Sequence, residues 1–77
     1  MNGYMFMMST CAGILYYGYE LGSHQECKWY HHTRFEKRKP VIFDSYDIAM
    51  IWYQYNNFVN PVIVTVDQFI LAHVMGL

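Results

Sequence analysis

Apolar and polar positions alternate most clearly from Cys27 to Glu36. Cys27, Trp29, His31, Thr33 and Phe35 fall on one face, and Lys28, Tyr30, His32, Arg34 and Glu36 on the other. A period of two with charges on one side predicts a half-buried antiparallel strand, ended by Glu36-Lys37-Arg38-Lys39-Pro40. Upstream, residues 4–10 (YMFMMST) are uncharged and β-prone, and Cys11-Ala12-Gly13 suits a short hairpin turn whose last position needs positive φ. Residues 14–21 (ILYYGYEL) read as the return strand, with Gly18 at a bulge, and Gly22-Ser23-His24 as a second turn.

A period of 3.6 replaces the period of two after Val41-Ile42-Phe43. Asp44 or Ser45 can cap a helix, and Asp47 in the first turn suits the helix dipole. Ile48, Ile51, Trp52 and Tyr55 lie at i, i+3, i+4 and i+7, a stripe expected to pack on a sheet. Asn56-Asn57 is a stop, since Asn tolerates the left-handed conformation, and Pro61 cannot continue a helix. Residues 62–66 (VIVTV) are a strong strand signal. Residues 67–76 fit either a short helix capped by Asp67 or a further strand. The pattern predicts an α+β fold: a small antiparallel sheet of hairpin, third strand and closing strand, with one main helix on one face, two layers in all.

Composition narrows the class. The 77 residues make one domain, 1–77; 55% are apolar, 19% aromatic and only 14% charged. That excludes a disordered tail, which needs low hydrophobicity and high net charge. A net charge of −1 excludes a globally basic nucleic-acid binder. A chain this small buries only about 60–65% of its unfolded surface, so several Tyr, Trp and Met side chains are left outside. Contiguous exposed apolar area marks a partner site, and a homo-oligomer, in the first place a dimer, is expected. Tyr16, Tyr17, Tyr19, Tyr30, Tyr46, Tyr53 and Tyr55 cannot all be buried with satisfied hydroxyls. Tyr46, Met50 and Tyr53 lie off the helix stripe and are expected to form a second, partner-facing side.

Cys11 and Cys27 permit one disulfide but no framework, and read as free thiols packed like small hydrophobes. With six methionines and no glycosylation sequon they fit a reducing cytoplasm. No Lys or Arg precedes Lys28, and glycines and polar residues interrupt the apolar N-terminal run, so neither a signal peptide nor a membrane span is expected.

Signals for catalysis are sparse. His24, Cys27 and His31 are spaced H-x2-C-x3-H, but on a strand Cys27 and His31 would stand about 13 Å apart, too far to share a zinc ion. No phosphate loop, nucleophile elbow or H-E-x-x-H occurs, and Asp44 and Asp47 are better explained as helix-cap residues than as an acid–base pair. No catalytic residue, metal ligand or cofactor is therefore assigned, and the chain is read as a non-enzyme. Charge placement says more. All five basic residues lie between Lys28 and Lys39, where the balance is +4, against −5 elsewhere. Tyr30, His32, Arg34, Lys37, Arg38, Lys39, Tyr46 and Tyr53 are the candidate partner-binding residues, an aromatic and basic set suited to hot spots. The same basic stretch could track phosphates, making a small nucleic-acid-binding protein the alternative. A zinc- or cysteine-dependent enzyme is the second alternative.

Within residues 41–57 (VIFDSYDIAMIWYQYNN), Phe43, Asp44, Ser45, Asp47 and Ala49 give an F-D-S-x-D-x-A helix start, followed by the closing strand. In this the chain resembles small phage-encoded accessory proteins with a tyrosine-rich hairpin. It departs from them in having more Met and aromatic residues and fewer charges. The resemblance implies a host-takeover or anti-defence inhibitor, of the anti-CRISPR kind, that acts in the bacterial cytoplasm by binding a host protein. No catalytic residue transfers through it.

Overall fold

A computed structural model describes residues 2–21 and 26–75. The chain runs through β1 (Tyr4–Thr10), β2 (Gly13–Glu20), β3 (Lys28–His31), a 3-10 turn (His32–Arg34), β4 (Arg38–Pro40), α1 (Tyr46–Tyr55), β5 (Val62–Thr65) and α2 (Val66–Val74). The five strands form one antiparallel sheet in the order β3-β2-β1-β5, with β4 also paired to β2. The α+β class expected from the pattern is the one observed. Its second helix is the addition: residues 66–74 choose helix and cover the face opposite α1, giving three layers.

The hairpin turn forms as its sequence requires. Gly13 has φ of 118°, and a Cβ there would lie 2.6 Å from His31 Nε2. Beyond Met7 and Tyr16 the hairpin splays, and the segment from β4 to Phe43 enters the gap. Val41 N–H donates to Tyr17 O, and Tyr4 and Phe43 exchange two backbone bonds of 2.9 and 2.8 Å. Gly18, expected at a bulge, instead keeps regular register with a partner on each side, Lys28 and Pro40. A Cβ there would stand 2.4 Å from the Lys39 carbonyl oxygen, so the close approach of β4 is what demands glycine. The turn expected at residues 22–24 lies outside the described residues.

Each sheet face has its own core. Met5, Ile14, Tyr16 and Val64 meet Val66 and Phe69 of α2 on one side. Phe6, Phe43, Tyr17, Trp29 and Ile63 meet Ala49 and Tyr53 of α1 on the other. Phe6 is the hub of the second, with ring contacts of 5.0–5.9 Å to Phe43, Phe58, Tyr17 and Tyr53.

Three expectations need correction. The strand begun at Cys27 does not reach Glu36: it ends at His31, whose imidazole caps the 3-10 turn by accepting from Thr33 N–H. That breaks the alternation: Lys28 and Tyr30 keep one face of the strand, but His32 and Arg34, in the 3-10 turn, do not continue it. In α2 the cap is Thr65, not Asp67. Thr65 Oγ1 accepts from Gln68 N–H at 3.1 Å and the Gln68 side chain accepts from Thr65 N–H at 2.8 Å, a reciprocal box that starts the helix directly from the strand. Finally, α1 is turned over, with the predicted stripe pointing away from the sheet.

Candidate interaction surface

Helix α1 begins where expected. Ser45 caps it, its Oγ accepting from Ile48 N–H at 3.2 Å, and Asp47 lies in the first turn. It ends at Asn56, whose Nδ2 donates to Trp52 O, followed by Asn57 with φ of 55°. The buried side is set by size. The sheet already presents bulky rings here, and a small residue, Ala49, lets the helix backbone approach them. Tyr53, one turn on, packs on Phe6 and Phe58, and its hydroxyl donates to Pro61 O at 2.6 Å and weakly to Val59 O at 3.2 Å.

Seating Ala49 and Tyr53 inward sends Ile48, Ile51, Trp52 and Tyr55 outward, exposed by 43, 65, 48 and 81%. Trp52 leans on Phe43 at 5.9 Å and on Tyr55 at 6.5 Å, and Ile51, Trp52 and Tyr55 enclose a shallow apolar notch. Within Tyr46–Tyr55 the polar side chains besides the tyrosine hydroxyls are Asp47 and Gln54. The helix is thus apolar nearly all round, a pattern that belongs to buried helices. Spacing alone places these four residues in the core. The signal for the opposite orientation was Ala49, a small residue between two larger apolar stripes.

The eight sequence-derived binding residues do not converge. Tyr53 is half-buried and hydrogen-bonded under α1. His32 is buried, and its Nδ1 lies 2.9 Å from Nδ1 of His73. Tyr30 is half-buried against Tyr16, with the Arg38 guanidinium 5.8 Å from its ring centre; Arg38 also pairs with Glu20 at 3.3 Å. Tyr46 is exposed at the start of α1, edge-on to Tyr4. Arg34, Lys37 and Lys39 are exposed around the turn into β4. The basic stretch therefore exposes Arg34, Lys37 and Lys39, while of the rings beside them His32 is buried and Tyr30 half-buried.

The thiols differ from expectation in one respect: Cys11 and Cys27 are free but exposed, not packed. His24 lies outside the described residues, and His31 is engaged otherwise, its Nε2 3.0 Å from Ala12 O and its Nδ1 2.8 Å from Thr33 Oγ1. Among the described residues no three His, Cys, Asp or Glu side chains come together to hold a metal, and no helix is long and apolar enough to cross a membrane. Comparison of the chain with known protein families, curated proteins and solved structures finds no match.

Proposed function

We propose that the protein acts by binding rather than catalysis, and that the outward face of α1 docks in an apolar groove of a bacterial host protein. This is the mode of action implied by the resemblance of residues 41–57 to small phage-encoded accessory proteins. One observation carries the reading: Ile48, Ile51, Trp52 and Tyr55 stand exposed at i, i+3, i+4 and i+7, the anchor spacing of a helix that lies in a groove.

Charge selects the occupant. Asp44 and Asp47 mark the N-terminal end of the face, and residues 40–77 contain no Lys or Arg. A second copy docked antiparallel would set these aspartates beside the carbonyl end of its neighbour's helix, negative against negative. A host groove with a cation at its mouth complements the face along its whole length. The basic turn at Arg34, Lys37 and Lys39 is the surface on which a nucleic-acid reading would rest. With His32 buried and Tyr30 half-buried against Tyr16, it offers little ring platform on which bases could stack.

The test is capture from a bacterial lysate with the wild-type protein, with Ile51→Glu, and with a variant carrying alanine at 34, 37 and 39, followed by titration of the purified pair. The host protein should be retained by wild type and by the triple-alanine variant and lost with Ile51→Glu. Tyr55→Ala should weaken the purified pair by about 2 kcal/mol. Equal retention by Ile51→Glu overturns the reading. So does a dimer of the free protein that persists at nanomolar concentration and dissolves with Ile51→Glu, because a second copy would then own the face. Steeply salt-dependent binding to DNA or RNA, lost in the triple-alanine variant, would establish the alternative.

A further inference from the structure

Three histidines form a cluster where β3 ends and α2 ends, and the docking reading makes no use of them. His31 ends β3, His32 begins the 3-10 turn, and His73 lies in the last turn of α2. The His31 and His32 rings are 4.5 Å apart, those of His32 and His73 are 5.1 Å apart, and the His73 ring stacks parallel to Phe69. His32 Nδ1 and His73 Nδ1 face each other at 2.9 Å, within a side-chain pair that bridges 41 positions of sequence.

Hydrogen-bond chemistry fixes the protons. A 2.9 Å contact between two ring nitrogens is a bond only if one carries hydrogen and the other a lone pair. His31 is fixed separately. Its Nε2 donates to the Ala12 carbonyl at 3.0 Å, and its Nδ1 meets Thr33 at the hydroxyl, 2.8 Å away, and at the backbone N–H. The His32–His73 pair can take up one proton on an outer nitrogen and keep its bond, now charge-assisted. A second proton places hydrogen on both facing nitrogens. The bond is then lost, and two cations stand side by side with His31 against one of them.

We propose that His31, His32 and His73 are a pH-operated latch that holds the C-terminal half of α2 on the sheet at neutral pH and releases it on acidification. Among the described residues, the titratable and charged groups near the pair come from its own segment, from α2 and from β2. On their own segment the pair has His31 and the Arg34 cation, and α2 adds Asp67 two turns before His73. From β2, which packs on the 3-10 turn, comes the phenol of Tyr16, neutral up to strongly alkaline pH. The sign follows from proton counting. The closed latch binds fewer protons than the open one, so closure weakens as pH falls, by up to about tenfold in the opening constant per pH unit for each proton taken up. Release uncovers Phe69 and Phe35, which with the Tyr16 ring make up this side of the core.

Two measurements on the folded protein test the latch. Nitrogen-15 NMR of the imidazoles at pH 7.5 should show one protonated and one bare Nδ1 in the His32–His73 pair. Bare Nδ1 atoms on both of those rings would overturn it. Amide exchange across α2, corrected for intrinsic rates, should accelerate at least tenfold between pH 7.5 and 5 relative to β1 and β2. In His73→Phe, which keeps a ring against Phe69, that acceleration should vanish. An α2 whose protection is flat over this interval, or one that stays equally pH-dependent in His73→Phe, would also overturn it. Should His73→Phe fail to fold, His73→Gln takes its place with the same expected outcomes.

Discussion

Tyr16 shows how one side chain ties the two ends of the sheet together. Its ring is fully buried between Phe69, Phe35 and Tyr30, and its hydroxyl donates to the carbonyl of Arg38 on β4. Burial, reinforced by the neighbouring Tyr30 phenol, pushes its pKa up to about 12, although Arg38 pulls the other way. In the unfolded chain the phenol ionises near 10. Between those values the unfolded state binds fewer protons than the folded one, so stability is intact below pH 10 and falls as pH rises toward 12. The slope approaches about 1.4 kcal/mol per pH unit, the value for one proton. Denaturant titrations at pH 9 to 12 should show this loss. Tyr16→Phe should be less stable at pH 7 by about 1 kcal/mol, because the Arg38 carbonyl loses its donor, and flatter in the alkaline range. Tyr17, pushed up by burial and by Cys27, supplies a residual slope. An identical alkaline slope in wild type and Tyr16→Phe would refute the assignment. That tyrosines would exceed what the core could hold was legible from composition; which ones found carbonyls was not, because the partners at Arg38 and Pro61 depend on tertiary placement.

Among the elements, the hairpin, the helix start and the closing strand were readable because each carries local chemistry: Gly13 at positive φ, the Ser45 cap, the β-branched run at 62–65. Misreadings came where local pattern and tertiary demand diverged. The alternation from Cys27 to Glu36 looked continuous, yet His31 caps a 3-10 turn and ends the strand. Helix α1 offers two apolar stripes, and by size alone the larger belongs to the core. The rings of Phe6, Phe43 and Phe58 reversed the choice, since only the Ala49 side fits against them. This orientation has a measurable consequence. Tyr53→Phe removes the donor to Pro61 O and should cost about 1–2 kcal/mol of folding stability. Tyr55→Ala, at a site 81% exposed, should change stability by less than about 0.5 kcal/mol. Urea unfolding of the two variants decides it, and a larger loss in Tyr55→Ala would place the stripe in the core after all.

Charge segregates along the chain: residues 28–39 are basic, residues 1–27 hold as charged side chains only Glu20 and Glu26, and the segment from 40 to 77 has only Asp44, Asp47 and Asp67 and no Lys or Arg. The segregation bears on the dimer expected from composition. The four outward side chains of α1 expose on the order of 500 Å², so a two-fold contact between two such faces would bury on the order of 1,000 Å², at the lower end of specific interfaces. It would gain nothing from charge, since neither helix offers a cation to the other's aspartates. Self-association through α1 should therefore be weak, with dissociation in the micromolar range or above, and a host groove that encloses the same side chains more fully should displace it. Light scattering across a concentration series tests this. The average mass should start near 9.2 kDa and rise toward twice that value with concentration, and Ile51→Glu should hold it at the lower figure. Added salt should strengthen the association slightly, because it screens the aspartates of one helix from the carbonyl end of the other. A mass fixed at 9.2 kDa at every concentration would show that the outward face of α1 has no appetite for apolar surface, and the docking proposal would lose its physical basis.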